Sequence, residues 1–172
     1  MLGEATFAVS LLDTKKHNRA AFSCGEPSLD AYLQRQASQD IKRRAAAVHV
    51  MTQRGAPDQI IGYYTLSAAS LQLTDLPEDA QEKFARYPDV AASLLGRLAV
   101  DERYKRQGLG AQLLKHALLR SLEQSKTLAI AAVIVDALND NAKRFYEHYG
   151  FTTLPGQKSR LYIPMKTVEK SL

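Results

Sequence analysis

Residues 128–138 read LAIAAVIVDAL, a nearly unbroken apolar run. Like every other apolar stretch in the chain, it falls well short of the ~18 residues a membrane span needs. A short continuous run of this kind is the signature of a strand buried on both faces of its sheet. Such a strand needs helices on both sides, which places the chain in the α/β class with a mixed sheet flanked by helices. The neighbouring segments agree. GLGAQLLKHALLRSLEQS (108–125) reads as a long amphipathic helix before the strand. NDNAKRFYEHYG (139–150) reads as a second helix after it, with Gly150 at the C′ position.

The rest of the chain supplies the other elements. Residues 5–12 read as a first strand. A helix is expected from Pro27 and Ser28 to Arg44, with Pro in the first turn and Ser as cap. Its Leu29, Tyr32, Leu33 and Ala37 share one face. AAVHVMT (46–52) and IIGYYTLSAASL (60–71) read as a hairpin across the turn RGAPDQ. A short helix in LPEDAQEKFARYP ends near Pro88, and SLLGRLAV (93–100) is a strand. FTTL and RLYIPMK form a closing strand pair. No Pro/Gly/Ser-rich linker divides the chain, so residues 1–172 are expected to form a single domain.

Composition narrows the function classes. One cysteine, Cys24, excludes an internal disulfide and suits a reducing cytoplasm. The N-terminal run FAVSLL is too short for a signal peptide. Four scattered histidines and one cysteine offer no metal-ligand spacing, so no metal is expected. The net charge of +5 biases the chain toward anionic partners such as nucleotides, CoA phosphates or RNA. On composition alone, solvated lysines and arginines are the favoured account of it.

Residues 97–114, RLAVDERYKRQGLGAQLL, carry a strand into two glycines and then a helix. Glycine admits backbone angles closed to other residues and lets a ligand approach. The first turn of a helix has unpaired N–H groups and a partial positive charge. Together these make an anion site suited to phosphate, with Lys105 and Arg106 adding charge. It is not a Walker A loop, and Leu113 at the third glycine position argues against a dinucleotide fingerprint. A helix entry with two tight-turn glycines explains the stretch alone.

Two patterns together carry a resemblance. The strand is followed by an [Q/R]-x-x-G-x-[G/A] turn and helix. Downstream stands N-x-x-A-x-x-[FL]-Y-x-x-x-G-F, matched by Asn139, Ala142, Phe145, Tyr146, Gly150 and Phe151. The pair resembles the acetyl-CoA-binding core of the GNAT superfamily of N-acyltransferases. The resemblance implies that the backbone of Lys105, Arg106, Gln107, Gly108, Gly110 and Ala111 holds the CoA pyrophosphate. It implies that Leu98, Ala99 and Val100 offer backbone groups to the pantetheine arm. One position departs from the pattern: Lys105 stands where the family has Gln or Arg. FSCGEPSLDAYLQRQASQD, GYYTLSAAS, LPEDAQEKFARYP, LGRLAVD and VDALNDNAKRFYEHYGF, in this order, are similar to the GNAT toxins of bacterial toxin–antitoxin modules. Those toxins acetylate the α-amine of aminoacyl-tRNA, block translation and pair with a ribbon-helix-helix antitoxin. A homodimer is expected by the same analogy.

Acetyl transfer from a thioester needs a neutral amine, a polarised carbonyl and a proton for the leaving thiolate. The α-amine of an amino-acid ester is less basic than a lysine side chain, so an acid for sulfur matters more than a strong base. Tyrosine can supply it. Tyr146 falls at the position that resembles the family's catalytic tyrosine, while Tyr149 is expected to pack. The resemblance also implies an oxyanion contact from a backbone N–H near Val100. Asn139 reads equally as a CoA contact and as an N-cap. Arg97 reads as a phosphate or substrate contact or as a surface salt bridge. Lys15, Lys16 and Arg19, with Lys42, Arg43 and Arg44, form basic clusters suited to RNA phosphates or to solvent. Cys24 is expected to be a small buried residue. His116 and His148 are expected to be exposed or capping, without a role. The rival functions are a GNAT enzyme for a protein or small-molecule amine, and a non-catalytic antitoxin- and DNA-binding partner.

Overall fold

The computed structural model describes residues 6–172. Ala5, where the first strand is expected to begin, and the N-terminal residues before it lie outside the described residues. In chain order the elements are β1 (Phe7–Leu11), α1 (Pro27–Ala31), a π-helical turn (Tyr32–Gln36), α2 (Ala37–Arg43), β2 (Ala47–Gln53) and β3 (Ala56–Gln72). Then come α3 (Glu78–Lys83), β4 (Asp89–Val100), α4 (Leu109–Gln124), β5 (Ala132–Asp136), α5 (Asp140–His148), β6 (Thr152–Thr153), β7 (Arg160–Pro164) and α6 (Met165–Ser171). The strands form a seven-stranded sheet in the order β1-β2-β3-β4-β5-β7-β6. β4 and β5 run parallel, and the pairs β1–β2, β2–β3, β5–β7 and β6–β7 are antiparallel. This is the mixed α/β sheet that the buried strand demanded. Two compact units divide the chain. One comprises the residues up to Ser67 with Arg97–Ala117; the other comprises Ala68–Gly96 with Leu118–Leu172.

In the first unit, Pro27 takes the first helical position, so the cap falls on Glu26, whose carbonyl accepts from the Leu29 and Asp30 N–H groups. Ser28 therefore lies inside the first turn and caps nothing, against expectation. The single helix expected over 28–44 contains a π-turn, in which the Ala37 N–H reaches back to the Tyr32 carbonyl. Tyr32, Leu33 and Ala37 are buried, as their shared face requires, against Val48, Val50 and Tyr63. The two-residue period of β2 and the register Val50↔Tyr63 put those three side chains on one face. His49, Gly62 and Tyr64 occupy the other face, where α4 packs. A Cβ on Gly62 would lie 2.8 Å from Leu113 Cδ1 and 3.1 Å from the Ala99 carbonyl oxygen. The bare backbone is what lets α4 close onto the sheet here. His116, expected to be exposed or capping, is half-buried, with Nδ1 2.7 Å from the Tyr64 hydroxyl. The segment RGAPDQ turns only at Arg54 and Gly55, and Ala56 is already strand.

In the second unit, Ala132, Val133, Ile134 and Val135 are fully covered, but the strand is shorter than its apolar run. Pairing with β4 begins at Ala92↔Ala132, and Leu128 before it is exposed. Leu71, Leu76, Val90, Ile134 and Tyr162 form the core beside α3. α6 was not expected, since RLYIPMK reads as strand to its end. Pro164 stops that strand because it has no N–H for the ladder. The Met165 N–H instead bonds the Ala131 carbonyl, and Met165 and Val168 bury one side of the new helix.

Candidate functional site

The glycine turn belongs to the first unit. The register of β4 with β5 runs from Ala92↔Ala132 to Leu95↔Val135, and β4 continues beyond it to Val100. The Asp101 N–H bonds the Ile61 carbonyl of β3. Successive strand N–H groups point to opposite edges, so that of Val100 points away from β3. Ala99 is buried beneath Gly62, while Leu98 and Val100 are half-buried. A short 3-10 turn, Glu102–Tyr104, leads to Lys105. Arg106 then adopts φ +64° and Gly108 φ +74°, and α4 starts at Leu109. No atom lies within 4 Å of a Cβ built on Gly108, so backbone angle rather than space requires glycine there. Lys105, Arg106, Gln107 and Gly108 are exposed. Gly110 and Ala111 stand in the first turn of α4, whose N–H groups lack intrahelical partners. Exposed backbone of this kind can cradle an anionic group.

The downstream motif belongs to the second unit. Asn139 caps α5, its Oδ1 accepting from the Ala142 N–H at 2.9 Å, so the capping role is realised. At the other end Gly150 adopts φ +96°. The Phe151 N–H bonds the Tyr146 carbonyl and the Gly150 N–H bonds the Glu147 carbonyl, which is a Schellman closure. Its hydrophobic contact is the Phe151 ring against Tyr146, with centroids 5.4 Å apart. Phe145 packs edge-on against Tyr146 as well, at 5.2 Å. Tyr146 is thereby 7% exposed. Its hydroxyl makes no hydrogen bond to another described residue, and burial pushes its pKa well above the ordinary tyrosine value. A buried tyrosine usually finds a partner for its hydroxyl; this one is held by its ring and keeps its proton. Tyr149 contacts Phe145 but is 41% exposed.

A model of the GNAT acetyltransferase domain matches residues 45–153. The chain belongs to the GNAT acetyltransferase family. It is 30% identical over 96% of its length to a probable toxin TacT of Sinorhizobium fredii, of which it covers 95%. It is 34% identical to a tRNA-acetylating toxin of Mycobacterium tuberculosis, over 85% of each chain. A crystal structure of a tyrosine-to-phenylalanine mutant of KacT superposes with a TM-score of 0.90 at 27% identity, covering 97% of this chain and 99% of that one. AtaT complexed with acetyl-methionyl-tRNAfMet gives 0.88 at 28% identity, over 96% and 98%. A tyrosine-to-phenylalanine mutant of AtaT, bound to the C-terminus of the antitoxin AtaR and to acetyl-CoA, gives 0.83 at 25%, over 96% and 98%.

The structure gives the other side chains singled out in the sequence of this GNAT chain definite surroundings. Arg97 stacks its guanidinium 3.5 Å over the Tyr32 ring, a cation–π contact instead of a salt bridge. Tyr32 donates to Asp40 at 2.9 Å, and burial, reinforced by that carboxylate, pushes its phenol up to about 12. The Lys105 ammonium donates to the Cys24 carbonyl at 2.7 Å. Cys24 is buried as expected, and burial, followed by Asp30, pushes its thiol up to about 11, which makes it a poor nucleophile. Lys42, Arg43 and Arg44 are exposed at the end of α2, and Lys15 and Lys16 are exposed as well. Arg19 is half-buried and donates to the Leu33 carbonyl.

Sequence reading missed Asp101. Its carboxylate is 1% exposed and accepts from the N–H groups of Arg103 and Ser23 and from the Arg103 guanidinium. Burial pushes its pKa up, but these hydrogen bonds and the guanidinium charge outweigh that and hold it below the usual carboxylate value. The available signal was an aspartate at a strand end, two residues before an arginine, opening a turn. A groove of about 1030 Å³ in the second unit, floored by Leu71, Phe84, Tyr87, Ile130, Tyr162 and Met165, holds none of the expected site residues. Among the described residues no helix is long and apolar enough to cross a membrane, and no three His, Cys, Asp or Glu are grouped to hold a metal.

Proposed function

We propose that this GNAT chain is a toxin-type N-acetyltransferase that moves acetyl from acetyl-CoA to the α-amine of aminoacyl-tRNA, and so blocks translation. The observation that carries the reading is Tyr146, a ring locked by helix closure with an uncommitted, protonated hydroxyl. The relatives named as a tRNA-acetylating toxin and as AtaT with acetyl-methionyl-tRNAfMet support the acceptor. Acetyl-CoA supplies an activated thioester.

The residues divide the work. Backbone N–H groups of the turn from Lys105 to Ala111 hold the pyrophosphate, with Arg106 adding charge. Leu98, Ala99 and Val100 align the pantetheine arm, and the Val100 N–H, turned away from β3, meets the carbonyl oxygen. The neutral α-amine forms the C–N bond as the C–S bond breaks. Tyr146 gives its proton to the departing sulfur, and the proton lost by the amine restores the tyrosine. Asn139, its Oδ1 spent on the cap, retains an amide donor for CoA. Lys42, Arg43 and Arg44 neutralise acceptor phosphates, while Arg97, stacked on Tyr32, borders the acceptor. The chain acts as one acetyltransferase domain in the cytoplasm, where charged tRNA resides. It pairs with a ribbon-helix-helix antitoxin and forms a homodimer around the tRNA end.

The test uses labelled acetyl-CoA with total aminoacylated tRNA and, in parallel, the same tRNA deacylated. Label confined to the charged pool is the expected result. Equal label in both pools, or label only on peptides or polyamines, would sink the aminoacyl-tRNA reading.

A further inference from the structure

The turn that begins this cradle is tied to a distant stretch of chain. Asp101 Oδ2 accepts from the Ser23 N–H at 3.1 Å, and the Glu102 N–H returns a bond to the Ser23 carbonyl at 2.9 Å. The Lys105 ammonium closes on the Cys24 carbonyl at 2.7 Å. Gly25 follows at φ +91°, where a Cβ would meet the Glu102 side chain, Oε1 at 2.8 Å. Asp101 also grips the turn from within. Oδ1 accepts from the Arg103 N–H at 3.0 Å and from its Nε at 2.9 Å, and Oδ2 from its Nη2 at 3.1 Å. These ties converge just before Arg106, a non-glycine residue in the left-handed region at φ +64°. That conformation is unfavourable for an L-residue and persists only where surrounding structure over-determines it.

We propose that Asp101 is a positioning residue for the CoA diphosphate: with Lys105 it staples the phosphate-holding turn to residues 23–25, and so fixes the backbone N–H groups that bind. The inference rests on the acetyl-CoA reading above. It also reassigns Lys105. One N–H of the ammonium is committed to a carbonyl, and in this reading the lysine serves the site through the shape of the turn. A backbone donor that must be aimed loses binding when its support loosens, whereas the reacting groups are untouched.

The experiment measures acetyl-CoA binding by calorimetry, which needs no acceptor, and then KM and kcat for transfer. Asp101→Asn removes the charge and one acceptor. The expected result is KM and Kd for acetyl-CoA raised about tenfold, with kcat at saturation within about twofold of the unsubstituted enzyme. Lys105→Met, at an exposed position, serves if the buried variant fails to fold. It should weaken binding about threefold, and most of that loss should persist from about 50 to about 300 mM salt, because a lost staple, unlike a lost charge, is not screened. A fall in kcat without a change in KM, unchanged binding in both variants, or a Lys105 effect that vanishes at high salt would overturn the staple. An unsubstituted protein that binds acetyl-CoA but leaves charged tRNA unlabelled would count against the acceptor reading alone. The calorimetric outcomes would still decide the staple.

Discussion

The turn at 105–110 and the end of α5 at 146–151 both depend on a glycine in the left-handed region, yet they present opposite kinds of chemistry. At the turn, Gly108 frees the backbone, and in the proposed function the N–H groups themselves are the binding surface. At α5, Gly150 closes the helix and so fixes a single side chain, Tyr146, between Phe145 and Phe151. The first region should bear a change of side chain with only a modest loss of binding, since Lys105 acts on it through the Cys24 carbonyl. It should not tolerate a change of backbone angle. The second should tolerate neither, because the proposed acid is a hydroxyl whose place is set by ring packing.

The comparison can be broken, most forcefully at the tyrosine. Tyr146→Phe should lower kcat by about a hundred- to ten-thousandfold, the range for loss of one general acid, with acetyl-CoA affinity unchanged. Turnover at the unsubstituted rate would remove Tyr146 from the chemistry. Gly150→Ala comes next. The strain at φ +96° should cost about 1–2 kcal/mol and lower Tm by about 4 °C. It should reduce kcat about fivefold while KM for acetyl-CoA holds; a KM effect instead would erase the contrast between the regions. Gly108→Ala meets open space and carries only the angular penalty of about 1 kcal/mol. It should raise KM for acetyl-CoA about fivefold and leave kcat alone, as steady-state kinetics would show.

The smallest expected change is in the pH profile. Tyr146 must hold its proton to act, and burial raises its pKa, so loss of the acid is displaced upward. The rate should climb as the acceptor amine becomes neutral, at about pH 8 or below, and then stay level to about pH 10. A decline between about pH 8 and 9.5 would assign the acid to a different group.

The fold was legible where the signal was local. The apolar run at 132–135, the amphipathic face of Tyr32, Leu33 and Ala37, and Gly150 after α5 each encode their own environment through periodicity or backbone freedom. The misreadings have a common cause. Ser28 lost the cap because Pro27 took the first helical position. The start of α6 was hidden at the end of a strand-like string, because the stop at Pro164 mattered more than apolar content. His116 looked like a surface residue, since nothing in its helix announces that Tyr64, fifty-two residues away, will meet it.

By itself, then, the sequence determined the α/β class, the two motifs, their glycines and the tyrosine that the second motif frames. These are matters of residue type at short spacing, where conformational preference acts over a few bonds. Only the tertiary structure decided where the charged side chains go. Lys105 turned to Cys24, Arg97 to the face of Tyr32, and Asp101 to Ser23 across 78 residues. The physical reason is that a long or charged side chain takes whichever partner folding brings within about 3 Å, and no local pattern records that choice.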